Sequence, residues 1–127
     1  MQNQSWIMKT ILFIAGALLF VYISYRTYRI ITLDKGLDEK VAKGALILDV
    51  RTVAEYNTGH IEGSVNIPLS HLHKDNIPLD KGRVIITCCS HGLRSVKAVN
   101  LLKQHGFSQV YNGGAWVDLE QSIKKAK

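Results

Sequence analysis

A short apolar run that ends in two cysteines and opens into a polar loop is the feature that most constrains this chain. Val84–Cys88 is apolar and rich in β-branched residues, which predicts a buried strand. The polar, glycine-containing loop Cys89–Ser95 follows, and the residues after it have helical spacing. A strand-loop-helix turn directs backbone N–H groups and the positive end of a helix into the loop, where they favour a thiolate. Cys89 is therefore a candidate nucleophile; the alternative is a buried, unreactive cysteine at a strand end.

The rest of the chain after residue 30 alternates short apolar runs with helical patterns. The run 45–50 is continuously apolar, as expected for a strand that is buried on both faces. This alternation indicates a parallel α/β sheet with helices on both faces, in which the chemistry lies at the carboxyl ends of the strands. Strands are predicted at 45–50, 65–67, 84–88 and 110–111, and helices at 34–44 (with Asp34 as N-cap), 53–56, 70–74, 95–104 and from about 115, after a turn at Gly113-Gly114.

The N-terminal segment Trp6–Tyr25 is almost entirely apolar, with Lys9 as its one charged residue. About 20 such residues match the thickness of the hydrocarbon core of a lipid bilayer, and Lys9 lies close enough to one end to reach the interface. A cleaved signal peptide is the alternative, but no small-residue cleavage site follows the segment. We therefore expect a retained single-pass transmembrane helix in the inner (plasma) membrane, with an N-terminal tail at 1–5, the helix and its flank at 6–29 and a folded domain at 30–127.

The distribution of charge indicates the orientation of this anchor. Arg26, Arg29 and Lys35 follow the apolar segment, whereas Lys9 and the terminal amine are the positive groups before its centre. The positive-inside rule then places the folded domain in the cytoplasm, with the periplasmic side as the alternative.

Composition excludes two broad classes of function. The net charge is +6, but three of the 16 Lys and Arg residues flank the apolar segment, so the rest of the chain has 13 against 10 Asp and Glu. No basic patch interleaved with aromatic residues is present, so a nucleic-acid partner is not expected. The two cysteines are adjacent and cannot staple a domain, which excludes a disulfide scaffold.

Three groups of motifs in the folded part resemble those of rhodanese-like sulfurtransferases. They cover about residues 31 to 120, in the order and with the gaps of that family, and the compact length is similar to single-domain members of the phage-shock protein E type. The resemblance implies a three-layer domain with a central parallel sheet. The motifs are Leu48–Arg51 with Glu55-Tyr56, Gly59–Ile61 and Gly63–Leu69; the loop Cys89–Ser95; and Gly106-Phe107 with Val110–Gly114.

The resemblance implies a reaction as well as a fold. Cys89 would take a sulfane sulfur from thiosulfate or another donor, carry it as a persulfide and pass it to cyanide or a thiol, without a cofactor or a metal. Covalent catalysis of this kind divides one transfer into two easier steps. Backbone N–H groups of the loop would cradle the sulfur and the sulfonate oxygens. The substrate-binding residues implied are Ser90, His91, Gly92, Leu93, Arg94 and Ser95.

The roles of several side chains stay open at this point. Arg94 is predicted either to bind thiosulfate oxygens or to brace the loop, since its planar fork suits both uses. Ser95 is predicted to cap the following helix, with a contribution to the cradle as a second role. Asp49 is predicted to brace the end of a strand or to pair with Arg51, and Arg51 is a candidate for the rim of the pocket. His60 is predicted to fix a turn by hydrogen bonding. His71, His73 and His91 do not form a convincing metal-ligand set, so no metal site is expected.

The adjacent cysteines leave one alternative reaction open. Cdc25-like phosphatases and arsenate reductases resemble rhodaneses but have one more residue in the loop, which makes room for phosphate. From Cys89 to Arg94 there are six residues, the sulfur-transfer length, whereas counting from Cys88 gives seven. The length of the preceding strand and the positions of Gly92 and Ser95 favour Cys89. A further alternative is a non-catalytic rhodanese-like binding module.

Overall fold

The computed structural model describes Gln2–Lys127, and the chain divides into two compact units, which join between Ile31 and Thr32. The first unit is helix α1, Gln2–Thr32, none of whose residues is buried. Its 31 residues correspond to a length of about 46 Å. By length and composition α1 is sufficient to cross a membrane. The helix includes residues 2–5 as well, which the sequence predicts to be a tail, and the boundaries at 5 and 29 stay a prediction.

The second unit is built on a four-stranded sheet. All neighbouring strands are parallel, and their order across the sheet is β2-β1-β3-β4. The carboxyl ends of the strands therefore lie along one edge of the sheet, where β3 ends at Cys89. The strands are β1 (Leu46–Asp49), β2 (Val65–Asn66), β3 (Ile85–Cys89) and β4 (Val110–Ala115).

Helices cover both faces of this sheet, because the buried strands are apolar on both sides. One face packs Leu48 and Ile85 against Leu72, Leu102 and Phe107. The opposite face packs other strand residues, among them Ile47 and Ile86, against Leu37 and Leu119. The predicted three-layer α/β domain with a parallel sheet is thus confirmed. The helices of this unit are α2 (Leu37–Ala42), α3 (Val53–Thr58), a 3-10 helix (Leu69–His73), α4 (Leu93–Gln104) and α5 (Trp116–Ala126).

Strand β4 is longer than the sequence predicts, and the predicted turn at Gly113-Gly114 is wrong. Both glycines lie within β4, and α5 begins at Trp116. A Cβ at Gly113 would lie 2.7 Å from the carbonyl oxygen of Thr87 and 2.8 Å from Cγ2 of Ile86. The glycine is therefore required by close packing of β4 against β3, and it does not mark a turn.

The N-cap predicted at Asp34 is also wrong. Helix α2 is preceded by Gly36 in the left-handed region, with no side-chain cap. Asp34 instead accepts a hydrogen bond through Oδ2 from the backbone N–H of Asn112, at 2.6 Å. A contact with a residue so distant in the chain leaves no local pattern, whereas an N-cap signal is local.

Gly113→Ala is expected to destabilise the second unit by about 1–3 kcal/mol, because overpacking a close strand contact forces the backbone apart. Urea denaturation of the full chain in detergent measures the change. Gly82→Ala is the matched control, since a Cβ there meets Asp80 Oδ1 at 3.4 Å, an ordinary contact distance. Equal stability of the two variants would show that β4 does not depend on the missing side chain.

Candidate active site

Cys89 is the last residue of β3, one residue further along the strand than the sequence predicts. Its side chain is 1% exposed and packs on the face of the sheet that α4 covers. The backbone N–H of Gly92 donates a hydrogen bond to Cys89 Sγ, with N and S 3.0 Å apart. One of the loop N–H groups that are predicted to cradle the sulfur thus contacts it.

Gly92 lets the loop turn back onto the cysteine. Its φ of 95° lies in the region that side chains with a Cβ rarely adopt. A Cβ at Gly92 would lie 3.6 Å from the Cα of Gly114, so the loop also packs closely on β4. Gly92 is the N-cap of α4, which begins at Leu93, whereas the sequence predicts a start at Ser95. The prediction that Ser95 caps this helix is wrong, because Ser95 lies within the first turn.

The outer side of the loop is held by a carboxylate. Arg94 and Glu55 form a two-pronged ion pair, with both N···O distances 2.8 Å. Ser90 Oγ donates to Glu55 Oε1 at 3.2 Å and accepts from Arg94 Nη2 at 3.1 Å. Both terminal nitrogens of Arg94 are therefore engaged within the protein, in a geometry that braces the loop.

Glu55 is itself fixed at the start of α3. Thr52 Oγ1 accepts from the N–H of Glu55, and Glu55 Oε2 accepts from the N–H of Thr52 at 2.9 Å, which makes a capping box. The hydrogen bonds from Arg94, and next those from Thr52, hold the pKa of Glu55 well below its ordinary value. The carboxylate is thus ionised near neutral pH and links α3 to the loop.

The inner side of the loop is held by Ser95 and Asn112. Ser95 is fully buried, and its Oγ lies 2.8 Å from the carbonyl oxygen of Gly92 and 2.6 Å from Asn112 Oδ1. The single hydroxyl hydrogen is shared between these two acceptors. Ser95 therefore joins the loop to β4, a role that its local sequence does not indicate.

Cys88 lies on the opposite face of the sheet from Cys89. It is fully buried in the cluster that includes Ile86 and Leu119. Burial raises the pKa of the Cys88 thiol well above its ordinary value, and the negative charge of Asp49 raises it further. Cys88 is consequently held as an uncharged thiol, which is a poor nucleophile.

Asp49 and Arg51 form a buried ion pair beside Cys88, at the end of β1. Asp49 is fully buried and Arg51 is 3% exposed, so Arg51 does not lie on the rim of an open pocket as proposed from the sequence. Arg51 donates to Asp49 through Nε and Nη2, and Nη2 also donates to the carbonyl oxygen of Gly59 at 2.7 Å. The hydrogen bonds to Asp49 raise the pKa of Arg51. The pair braces the turn after β1.

His60, His91 and Leu93 are the remaining candidate residues of the site. His60 lies with Nδ1 2.8 Å from the carbonyl oxygen of Tyr56, and its ring stacks on the Tyr56 ring with centroids 3.7 Å apart. His91 is exposed and Leu93 is 49% exposed, both within the loop segment. Over residues 2–127, no group of three or more His, Cys, Asp and Glu is arranged to hold a metal ion.

Two residues of the site were missed as functional positions. Glu55 and Asn112 both fall within the motifs quoted above, yet neither received a role. Thr52-x-x-Glu55 is a recognisable capping-box pattern, and Asn112 is a polar residue within an apolar strand segment. Each pattern marks a position of interest, but it does not identify the loop residue that the side chain contacts. Glu55 contacts a residue 39 positions away, and Asn112 contacts a residue 17 positions away.

The fold and the loop together define a class of protein: a parallel α/β domain with a cysteine at the carboxyl end of a central strand and a loop that closes onto its sulfur. The family model described as Rhodanese-like domain matches residues 32–116, and the chain belongs to this family. The resemblance given by the motifs is thereby confirmed.

Relatives with related descriptions support this assignment. Thiosulfate sulfurtransferase GlpE of Shewanella oneidensis is 35% identical over 79 residues, which are 59% of this chain and 78% of that protein. The tRNA sulfurtransferase of Thermoplasma acidophilum is 34% identical over 93 residues, which are 72% of this chain but 18% of that protein. The human single-domain sulfurtransferase TSTD1 has a TM-score of 0.58 and 26% identity, covering 69% of this chain and 90% of that one. The chain thus covers only a small part of the length of larger relatives such as the tRNA sulfurtransferase.

Glu55→Gln is expected to lower the thermal stability by an amount that depends on pH. The pKa of Glu55 is lower in the folded state than in the unfolded state, so the ionised carboxylate stabilises the fold. This stabilisation is fully present above the ordinary carboxyl pKa of about 4.3 and is lost as the pH falls toward the pKa of the folded state. The difference in Tm from wild type should therefore be constant between about pH 8 and 5 and shrink below about pH 4.

The exposed Glu62 supplies the control for this measurement. Glu62→Gln removes the same charge without touching the loop and should show a small difference at every pH. If the Tm difference for Glu55→Gln were as large at acidic pH as at neutral pH, the ion pair with Arg94 would not be the source of the stability that Glu55 provides.

Proposed function

We propose that this domain is a sulfurtransferase in which Cys89 carries a sulfane sulfur as a persulfide. Sulfurtransferase chemistry in general is supported by membership of the rhodanese-like family. The observation that carries the finer proposal is the hydrogen bond from the Gly92 N–H to Cys89 Sγ at the carboxyl end of β3. An amide directed at sulfur stabilises negative charge there, and the thiolate is the form that attacks.

Thiosulfate as donor gives a balanced first step. The Cys89 thiolate attacks the outer sulfur of thiosulfate, a new S–S bond forms, and the S–S bond of thiosulfate breaks. Its electron pair leaves with sulfite, so the persulfide holds one negative charge and sulfite holds two. In the second step an acceptor thiolate or cyanide attacks the outer sulfur of the persulfide, and Cys89 is released as a thiolate. No proton or external oxidant is needed in either step.

The narrow setting of the cysteine supports sulfur as the transferred group. Cys89 is 1% exposed, so a donor reaches its sulfur through a narrow terminal group and not through a bulky one. A terminal sulfur atom fits this requirement, whereas a phosphate ester has three further oxygens around its reacting atom. The donor in this proposal is thus thiosulfate or another molecule that presents a terminal sulfane sulfur, and the acceptor is a thiol or cyanide.

The main-chain groups of the loop supply the binding contacts in this proposal. N–H groups of Ser90–Ser95 cradle the outer sulfur and the sulfonate oxygens, and Arg94 acts as a positioning residue because Glu55 holds both of its terminal nitrogens. Six residues from Cys89 to Arg94 form the shorter loop expected for sulfur transfer.

Two features weigh against the phosphatase or arsenate reductase alternative and against a purely non-catalytic module. Cys88, the nucleophile that the longer loop requires, lies on the other face of the sheet, where burial raises its pKa. Cys89, in contrast, is retained together with an N–H directed at its sulfur, an arrangement that a binding module does not need.

Cys89→Ser is expected to abolish sulfur transfer from thiosulfate to cyanide, because a hydroxyl does not form a persulfide. Cys88→Ala is the matched control and should keep most of the activity, since it removes the neighbouring thiol on the far face. After incubation with thiosulfate, mass spectrometry should find one additional sulfur atom on the peptide that contains Cys89.

A parallel assay with a phosphate ester separates the alternatives. Activity on the ester that is lost in Cys88→Ala, with no transfer of sulfur by the wild type, would replace the proposal with the phosphatase reaction. A protein that transfers sulfur while Cys89 stays unmodified would contradict the persulfide.

We also propose that α1 anchors the domain to the lipid bilayer of the inner membrane, with the domain in the cytoplasm. The length and composition of α1 support the span, and the basic residues Arg26, Arg29 and Lys35 after its apolar part support this orientation. A donor or acceptor system at the membrane surface would then be within reach of the domain.

A reporter fused after Lys127 tests the anchor and its orientation in a bacterial host. We expect a fusion to a fluorescent protein that matures in the cytoplasm to be bright, which tests the orientation. The same fusion should stay in the membrane fraction when membranes are extracted at high pH, which tests the anchor. The control is the same fusion without residues 2–29, which should be released from membranes. Activity of a fused alkaline phosphatase would place the domain on the periplasmic side, and loss of an N-terminal tag would indicate a cleaved signal peptide.

A further inference from the structure

The segment that follows the candidate span is bonded directly to strand β4. Asn112 donates from its backbone N to Asp34 Oδ2 at 2.6 Å and accepts at its carbonyl oxygen from the N–H of Asp34 at 3.2 Å. Asn112 Nδ2 donates to the carbonyl oxygen of Thr32 at 2.7 Å. Three hydrogen bonds thus attach residues 32–34, defined here as the linker, to one residue of β4.

The same asparagine side chain reaches the Cys89 loop. Its Oδ1 accepts from the N–H of Gly114 at 3.0 Å and shares the hydroxyl hydrogen of Ser95 with the carbonyl oxygen of Gly92. Gly92 in turn donates its N–H to Cys89 Sγ. A continuous set of hydrogen bonds therefore runs from the linker through Asn112 and Ser95 to the residue that contacts the sulfur.

Packing follows the same path as the hydrogen bonds. A Cβ on Gly114 would lie 2.9 Å from Cδ1 of Leu33, and a Cβ on Gly92 would lie 3.6 Å from the Cα of Gly114. Gly114 is thus enclosed between the linker on one side and the loop on the other. A side chain at position 114 would therefore collide with Leu33 of the linker.

We propose that Asn112 and Asp34 are positioning residues for Cys89, so that the linker forms part of the support of the loop. Asn112 is 4% exposed and Ser95 is fully buried, and buried hydrogen bonds between polar groups are stronger and more costly to break than exposed ones. Asp34 is exposed, so its replacement tests the connection without opening the core. The catalytic consequence rests on the proposed sulfur transfer, whereas the effect on the loop does not.

Hydrogen exchange and kinetics of the full chain in detergent micelles test this inference. In Asp34→Ala, we expect exchange of the peptide that covers residues 90–95 to be about tenfold faster, since a hydrogen bond to a charged group is lost. The kcat for thiosulfate:cyanide transfer should fall by a similar factor, with a smaller change in KM, because the loop orients the sulfur during the reaction. Exchange of β1, at 46–49, should be unchanged.

Three further variants make the result specific. Asp34→Asn keeps an oxygen acceptor for the Asn112 N–H and should recover most of the loop protection and of kcat. Asp38→Ala removes an exposed acidic residue of α2 that lies four positions away and should behave as wild type. Asn112→Ser replaces the buried amide with a shorter hydroxyl group and should loosen the loop more than Asp34→Ala does. If this variant does not fold, the Asp34 variants decide.

The outcomes separate this inference from the proposed function. Unchanged loop exchange in Asp34→Ala would overturn the inference, whether or not the protein transfers sulfur. Faster exchange confined to the linker and β4, with the loop unaffected, would overturn it as well. If the wild type transferred no sulfur while Asp34→Ala still loosened the loop, the proposed reaction would fail and the positioning role would stand.

Discussion

Neighbouring residues of a β-strand direct their side chains to opposite faces of the sheet, and this alternation separates the two adjacent cysteines. Cys88 and Cys89 are adjacent in sequence but belong to different apolar clusters. Cys88 is buried beside the Asp49–Arg51 pair, whereas Cys89 meets the N–H of Gly92 where the loop begins. The period of two along β3 thus gives two identical side chains two different environments.

The loop around Cys89 is short, and its shape is maintained by contacts from both sides. Glu55 holds Arg94 and Ser90 from the outside, and the capping box of α3 holds Glu55 in turn. Ser95 and Asn112 hold Gly92 from the inside. Because the supports come from α3 and β4, the N–H of Gly92 is held in place by the protein itself, as the proposed stabilisation of charge on Cys89 requires.

Much of the fold could be predicted from local patterns, while the contacts of the site could not. Continuous apolar runs predicted the buried strands, and the strand-loop-helix pattern located Cys89 at a carboxyl end. The errors concern tertiary packing: Gly113 has the composition of a turn but is required by a close strand contact, and Asp34 has the chemistry of an N-cap but pairs with a residue 78 positions away. The partner of Arg94 was missed for the same reason, since local periodicity contains no information on distant pairs.

The buried pair of Asp49 and Arg51 restricts how this domain can change over evolutionary time. Each charge is removed from water and is compensated by the other, so losing one partner would leave an isolated charge in the interior, at a cost of about 3–5 kcal/mol. Most small domains have little more stability than that to lose. These two positions are therefore expected to vary jointly among descendants of this chain, as a co-evolving couple, or to stay constant.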